Sequence, residues 1–213
     1  MYKRQVEKTV TGADMGLDRL SDPSDPLYIS DDAPAKLSDA KDLFYDQDND
    51  TFWVCDSGNN RILRLDTDLK VTGCYTGFTG STEISVGEDG RSTFLNPNGI
   101  YVKKSIFDDK LYVYIADTDN SRAVKCTVES GTEMTLVQEY TKPDTKLYDS
   151  ETFNPSKILA DKAENIYVVC KSVNTGSVQF NKDGEFQGFY GANRVEVTAA
   201  VIAQKLWRKI ASN

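Results

Sequence analysis

Three segments of the chain repeat one pattern of short apolar runs separated by polar turns, and this repetition constrains the fold most strongly. The segments span residues 37–71, 94–128 and 153–186. Each holds four runs rich in Val, Ile, Tyr, Phe and Trp and bounded by Asp, Asn, Gly or Pro, which is typical of β-strands. The predicted first and second strands are Asp42–Tyr45 and Thr51–Cys55, Gly99–Val102 and Leu111–Ala116, and Lys157–Ala160 and Asn165–Cys170. The predicted third and fourth strands are Arg61–Asp66 and Leu69–Tyr75, Arg122–Val128 and Thr135–Tyr140, and Ser177–Asn181 and Glu185–Tyr190.

Four-stranded antiparallel units in tandem are the blades of a β-propeller. We therefore predict an all-β fold, an incomplete β-propeller of about three four-stranded antiparallel blades with a short C-terminal amphipathic helix. The connections at 76–93 and 141–152 are rich in Gly, Thr, Ser and Asp, which predicts polar insertions that project from one rim. One further strand is predicted at Val6–Val10, ahead of the first repeat.

Two of the repeats resemble a known family. The stretches NPNGIYV and LYVYIADTDNSR in the second repeat, and WVCDSGNNRIL in the first, are very similar to NHL repeats. The third repeat keeps FNPSKI and NIYVV but has KSVNTG where the Asp and Arg of the pattern would stand. The resemblance implies a bacterial NHL-type propeller of about six blades when complete, of which this chain is a fragment, working outside the cytoplasm.

The two ends of the chain are interpreted separately from the blades at 37–193. YKRQ is the translation of the end of a transposase adapter used in sequencing, so residues 1–5 are interpreted as non-native. Residues 6–36 are interpreted as the end of a preceding blade and a connection. Residues 194–213 are interpreted as a truncated helical insertion that packs on the propeller with Trp207 partly buried, because one predicted helical face is apolar. That face carries Ala199, Ile202, Ala203, Leu206 and Ile210.

The candidate site residues lie at the turn between the second and third strands of the first two repeats. They are Asp56, Asn60 and Arg61 in the first repeat, and Asp117, Asn120 and Arg122 in the second. We favour a structural role, in which a partly exposed Asp–Arg pair staples a hairpin whose turn residues tolerate left-handed backbone. The alternative is that these residues bind a ligand on the rim of the propeller.

Other candidate chemistry is sparse. The four cysteines, Cys55, Cys74, Cys126 and Cys170, show no CxxC spacing and are expected to be buried free thiols. The DQDND stretch at 46–50 lacks the Gly and Glu that a calcium-binding EF-hand loop needs, so we expect a turn there. We assign no catalytic residue, no metal site and no cofactor.

Charge and composition limit the classes of function. The net charge of −8 disfavours nucleic acid as a partner, because nucleic-acid affinity comes mostly from Lys and Arg on phosphates. No apolar run is long enough for a transmembrane segment. We favour a non-enzymatic NHL-type scaffold that binds a protein, peptide or small ligand on its face. The alternative is a metal-dependent lactonase-like or lyase-like propeller enzyme, for which the sequence offers no histidine.

Overall fold

A computed structural model describes residues 9–80, 91–148, 150–171, 173 and 176–191. Fourteen strands and three short helices lie in these ranges. The first unit contains β1 (Asp42–Asp46), β2 (Thr51–Asp56), β3 (Arg61–Leu65) and β4 (Val71–Tyr75). The second contains β5 (Gly77–Thr79), β6 (Arg91–Thr93), β7 (Pro97–Lys104), β8 (Leu111–Asp117), β9 (Arg122–Val128) and β10 (Met134–Tyr140). The third contains β11 (Pro155–Ala160), β12 (Ile166–Cys170), β13 (Ser177–Phe180) and β14 (Phe186–Tyr190).

These strands form three sheets that follow one another along the chain. Sheet 1 has the order β1-β2-β3-β4 and sheet 3 the order β11-β12-β13-β14, with every neighbouring pair antiparallel. This is the meander of a propeller blade, in which each strand pairs with the next along the chain. The protein therefore has the all-β fold of an incomplete β-propeller, as the repeat pattern predicted. All twelve strands predicted within the three repeats are present.

Sheet 2 departs from the predicted four strands, because it has six, in the order β6-β5-β10-β9-β8-β7. The extra hairpin β5–β6 comes from the two ends of the 76–93 connection, which we had expected to be a polar insertion throughout. Strand β5 adds to the outer edge of the blade in parallel with β10, through the pair Thr79 and Thr135. Its physical reason is apolar burial, since Phe78 and Phe94 pack together in the core with ring centroids 5.8 Å apart.

The core consists of layers between the sheets. Sheets 1 and 2 each turn an aromatic-rich face toward the next sheet, which packs branched aliphatic side chains against it. In the first layer, sheet 1 contributes Phe44, Trp53, Ile62 and Tyr75. Packed against them from sheet 2 are Ile100, Val102, Val113, Ile115 and Val124. In the second layer, sheet 2 contributes Tyr112, Tyr114 and Tyr140. Packed against them from sheet 3 are Ile158, Ile166, Val168 and Val178. Both faces of sheet 2 are therefore buried.

Residues 12–33 cover β2, β3 and β4 on the remaining face of sheet 1, whereas Leu43 and Tyr45 of β1 are exposed. Helix α1 (Gly12–Met15) begins at a capping box formed by Thr11 and Asp14, and a 3₁₀ helix (Leu17–Ser21) follows. Met15, Leu17, Leu20, Leu27 and Ala33 pack on Val54, Leu63, Leu65, Val71 and Cys74 of the sheet.

The predicted strand Val6–Val10 is not found at residues 9 and 10, and residues 6–8 lie outside the described ranges. The helical cap was missed because its two short helices are too brief for a periodic signal. Its other signal, Thr-x-x-Asp, is a weaker form of the usual capping box. The interpretation of 6–36 as the end of a preceding blade stays a prediction.

Several other predictions can be placed in the structure. The DQDND stretch is the turn between β1 and β2, as expected, with residues 47–50 in the turn. The predicted helix at 194–213 and Trp207 lie outside the described residues. Among the helices of the described ranges, none is both long enough and apolar enough to span a membrane.

Strands β1, β7 and β11, one from each sheet, lie close together, and a glycine in β7 permits this approach. A Cβ atom added at Gly99 in β7 would lie 2.7 Å from the carbonyl oxygen of Ser156 and 2.8 Å from Cα of Lys157, both in β11. Asp42 in β1 reaches both neighbours, because its carboxylate accepts from the Ile100 amide at 2.9 Å and pairs with Lys157 at 2.5 Å. The three inner strands are thus joined across the arc.

We expect Gly99→Ala to destabilise the fold by about 1–3 kcal/mol, because the added methyl meets backbone that cannot move aside without separating two sheets. The measurement is the free energy of unfolding from urea denaturation. Gly131→Ala is the control, since its Cβ meets chiefly the end of the flexible Leu27 side chain at 2.6 Å. Equal losses in the two variants would contradict the prediction.

Candidate functional site

Three polar side chains at the turn between β2 and β3 form a hydrogen-bonded cluster, which we name clamp 1: the buried Asp56 and Arg61 and the half-buried Asn59. Asp56 ends β2 and Arg61 begins β3, so the two residues oppose each other in the antiparallel register. Nε of Arg61 donates to Oδ2 of Asp56 at 2.7 Å, and Nδ2 of Asn59 donates to the same oxygen at 2.9 Å. Both charged side chains are almost fully shielded from water, at 2% exposed for Arg61 and 0% for Asp56.

Clamp 1 holds the segment that leads into β1. The other carboxylate oxygen of Asp56 accepts the Ser38 amide at 2.7 Å. Nη2 of Arg61 donates to the Pro34 carbonyl at 2.9 Å, and Nδ2 of Asn59 donates to the Lys36 carbonyl at 2.9 Å. The cluster therefore ties residues 34–38 to the turn of their own blade.

Clamp 2, formed by Asp117, Asn120 and Arg122, repeats the arrangement one blade later. Nε of Arg122 donates to Oδ2 of Asp117 at 2.8 Å, and Asn120 donates to that oxygen at 2.8 Å. The Leu95 amide donates to the second oxygen of Asp117 at 2.8 Å. The Thr93 carbonyl accepts from Arg122 at 3.1 Å and from Asn120 at 2.9 Å.

The surroundings of clamp 2 are those of a core rather than a surface. Both Asp117 and Arg122 are 0% exposed, and the Arg122 guanidinium lies 4.8 Å from the ring centroid of Phe78. Burial raises the pKa of the Asp117 carboxyl, against the lowering effect of the Asn120, Leu95 and Arg122 donors. The ionised carboxylate thus depends on those donors for its stability in a place from which water is excluded.

One detail of the predicted site is wrong. The Asp–Arg pairs were expected to be partly exposed and to staple only their own turns, whereas they are buried and bind the segments before β1 and β7. The predicted residue Asn60 does not correspond to Asn120, because the amide in that place is Asn59. Asn60 instead has a left-handed backbone with φ of 52°, and its side chain accepts the Asn96 amide of the next blade at 2.8 Å.

Sequence reasoning also missed the hydroxyls that follow each clamp aspartate. Ser57 donates to the Pro97 carbonyl at the start of β7, and Thr118 donates to the Pro155 carbonyl at the start of β11 at 2.6 Å. Asn98 donates to the Thr118 oxygen at 2.6 Å. The sequence carried a signal for this contact, because the Asp-Ser or Asp-Thr pair of one repeat is followed by an Asn-Pro pair at the start of the next. Each turn is therefore bound both to its own blade and to the following one.

The third blade lacks the cluster, and its register differs from the sequence alignment. Asp117 opposes Pro97 across the sheet, and the residue that opposes Pro155 is Cys170. Cys170 therefore occupies the place of the clamp aspartate, and Lys171, which we had aligned there, lies one position later and is exposed. The Lys171 amide donates to the Asn154 carbonyl at 3.0 Å. This main-chain bond joins the turn to the segment before β11 in the blade that lacks the two charges.

The remaining candidate groups offer little chemistry. The four cysteines are free and buried, as expected, and burial raises the pKa of the Cys74 thiol to about 11 and that of Cys170 to about 12. Within the described ranges, no group of three or more His, Cys, Asp or Glu side chains is placed to hold a metal ion.

No known protein family and no curated protein matches the sequence. Solved structures resemble the fold weakly. A streptogramin B lyase structure is 15% identical with a TM-score of 0.45, and the match covers 75% of this chain and 42% of that one. The hydrazine synthase of Kuenenia stuttgartiensis is 13% identical with a TM-score of 0.47, covering 78% of this chain and 40% of that one. A luciferin-regenerating enzyme is 17% identical with a TM-score of 0.39, covering 74% and 49%.

The chain thus spans less than half the length of each of these three structures. Their activities are properties of those proteins. What the structure itself defines is a class of architecture, a set of propeller blades whose repeated charges are buried.

We expect Arg122→Met to lower the free energy of unfolding by about 3–5 kcal/mol, because it leaves the Asp117 carboxylate buried and short of a donor. This loss exceeds the 0.5–1.5 kcal/mol that a partly exposed pair would contribute. Urea denaturation measures it. Lys171→Met in the third blade is the control and should change stability by less than about 0.5 kcal/mol. A small effect of Arg122→Met, similar to that of Lys171→Met, would show that the pair does not stabilise the fold.

Thr118→Val should cost about 1–3 kcal/mol although the side chain keeps its shape, because the Pro155 carbonyl loses its buried donor. Thermal unfolding followed by circular dichroism measures the loss. Thr127→Val is the matched control, since the Thr127 hydroxyl donates to the exposed Glu129 carboxylate at 2.7 Å. If both variants unfold at the same temperature as the parent, the contact between blades carries no stability.

Proposed function

We propose that this chain is part of an NHL-type propeller that acts as a non-enzymatic scaffold and binds a peptide segment of a partner protein on the rim where the clamps lie. The observation that carries the proposal is the burial of the clamp charges. Because the Asp and Arg side chains are satisfied by main-chain groups, they position the turns and leave contact with a ligand to the exposed residues around them.

Those exposed residues suit a polypeptide. Leu95 is 44% exposed beside clamp 2, and Asn60, Asn96 and Asp119 surround it on two adjacent turns. Nδ2 of Asn96 donates to Asp119 at 3.1 Å, which fixes the orientation of both side chains. An apolar side chain bordered by fixed amide and carboxylate groups offers both contacts a peptide needs, a place for a side chain and partners for its main chain.

Among the candidate residues, the proposal gives Asn60 a direct role in binding. Asp56, Arg61, Asp117, Asn120 and Arg122 keep the supporting role of holding the rim in place. For the four charged residues this division follows their burial, since a group that water cannot reach does not reach a ligand without unfolding its surroundings. Asn120 is half-buried, and its amide already donates to Asp117 and to the Thr93 carbonyl.

The test is selection of peptides from a display library against the full chain, followed by calorimetry with an enriched peptide. We expect Leu95→Asp to weaken binding at least about tenfold, equivalent to about 1.4 kcal/mol, without lowering the unfolding temperature. The control is Ile106→Asp on the opposite rim, where the side chain is 71% exposed. Binding that ignores Leu95→Asp, or no enriched peptide at all, would contradict the proposal.

A second measurement separates this scaffold from the enzymatic alternative. The full chain should not hydrolyse a panel of lactones and esters at a rate that depends on a metal ion. Hydrolysis that stops with a chelator and returns with calcium would favour the lactonase-like alternative and overturn the scaffold.

A further inference from the structure

A cleft of about 370 Å³ lies between the first two blades, where β1 and β7 end. We name it the β1–β7 cleft, lined by residues 44–48 and 101–104. It opens beside the turn from β1 to β2, whereas clamp 1 lies at the turn from β2 to β3. Because β2 runs from one of these turns to the other, the cleft is on the rim opposite the clamps. Its two walls belong to the first two blades, so no preceding or following blade is needed to form it.

The corresponding place between the second and third blades is bridged by a lysine. Lys103 at the end of β7 extends toward β11, where its ammonium donates to the carbonyl oxygen of Asp161. Asp46 occupies the same place in the first blade. It pairs with Thr51 across the sheet, and Lys103 pairs with Tyr112. Both partners lie five positions before the clamp aspartate of their blade (56 − 51 = 117 − 112 = 5).

Asp46 does not bridge the cleft, because its shorter side chain is turned into its own hairpin. Its two carboxylate oxygens accept from the Asp48 amide at 3.2 Å and from Nδ2 of Asn49 at 2.8 Å. The residue is only 5% exposed. The space that a lysine crosses between the second and third blades is therefore open between the first and second.

Two aromatic rings form an apolar corner of the cleft. Phe44 in β1 and Tyr101 in β7 are half-buried and meet edge to face, with ring centroids 5.1 Å apart. The face of an aromatic ring carries a weak negative potential, which attracts C–H groups. The corner therefore suits a ligand with a face rich in C–H groups.

The charges around this corner balance. Among the described lining residues, Asp46 and Asp48 are matched by Lys103 and Lys104, a net charge of 2 − 2 = 0. Three of these four side chains are already engaged within the protein, Lys104 through an ion pair with Asp109 at 2.8 Å. A ligand with a net charge of its own therefore meets no excess of the opposite charge in the cleft.

Hydrogen-bonding groups lie beside the aromatic corner. Gln47 and Asp48 are exposed in the turn that borders it. The Gln47 amide both donates and accepts, and the Asp48 carboxylate accepts, so hydroxyl groups can bind to either. The volume of the cleft is near the lower end of the range for small-molecule sites, about 300–1,000 Å³. A small, uncharged molecule with many hydroxyl groups and an apolar face matches all of these features.

We propose that the β1–β7 cleft binds a neutral sugar of one or two rings. One face of the sugar packs on Phe44 and Tyr101, and its hydroxyl groups bind Gln47 and Asp48. This site is separate from the peptide-binding rim proposed above, and either can exist without the other.

The test is a nuclear magnetic resonance titration of the isotope-labelled full chain with glucose, galactose, mannose, N-acetylglucosamine and cellobiose. We expect at least one of these sugars to shift the amides of residues 44–48 and 101–104 and to leave those of the clamp turns unchanged. Gln47→Ala and Asp48→Ala should each weaken its binding about fivefold, because each removes a hydrogen-bond partner of a hydroxyl group. Both positions are exposed, so the unfolding temperature should not change.

Lys162→Ala is the matched control, because Lys162 follows Asp161 in the third blade as Gln47 follows Asp46 in the first, and it is also exposed. It should leave the titration unchanged. No shift with any of the sugars, shifts confined to residues outside the cleft, or an equal loss in Lys162→Ala would overturn the proposal. Inorganic phosphate or putrescine that shifts the cleft amides where the sugars do not would assign the cleft to a charged ligand and overturn it as well.

Discussion

The structure depends on two ion pairs that are withdrawn from water, Asp56 with Arg61 and Asp117 with Arg122. Removing two charges from water is costly, and their attraction offsets this cost only when the remaining donors and acceptors are also satisfied. Here the Ser38 and Leu95 amides satisfy the carboxylates, and the Pro34, Lys36 and Thr93 carbonyls satisfy the guanidinium and amide groups. The pairs are therefore stable only when the chain that leads into each blade is in place.

This dependence explains how successive blades are joined. The clamp aspartate binds the segment before its own blade, and the next residue, Ser57 or Thr118, binds the first strand of the following blade. Gly99 lets β11 approach β7, and Asp42 in β1 binds Ile100 in β7 and Lys157 in β11. In the third blade, which has no clamp, the described residues at the same place are joined by the main-chain bond between Lys171 and Asn154. We therefore expect the third blade to be held less firmly than the first two.

The strands were predictable because each is a run of β-branched and aromatic residues between turn residues. Strands β5 and β6 were missed because three residues each are too few to show a period. The clamp charges were found, but their partners are mostly main-chain groups, which have no residue-type signal. Spacing does distinguish the two adjacent amides, because Asn120 lies three positions after Asp117 and Asn59 three positions after Asp56, so Asn59 could have been chosen from the sequence. The register of Cys170 could not be read because the pattern that would align it, Asp with Arg, is absent from that blade.

The central claim is that each clamp holds the segment leading into its blade, and native-state hydrogen exchange at the Leu95 amide tests it most directly. The Leu95 side chain is 44% exposed, so its amide depends for protection on the bond to Asp117 at 2.8 Å. In the parent protein this amide should exchange slowly. In Asp117→Asn it should exchange at least about tenfold faster, while the amides in the middle of β8 stay protected. A Leu95 amide that exchanges rapidly in the parent, or equally slowly in both proteins, would contradict the account.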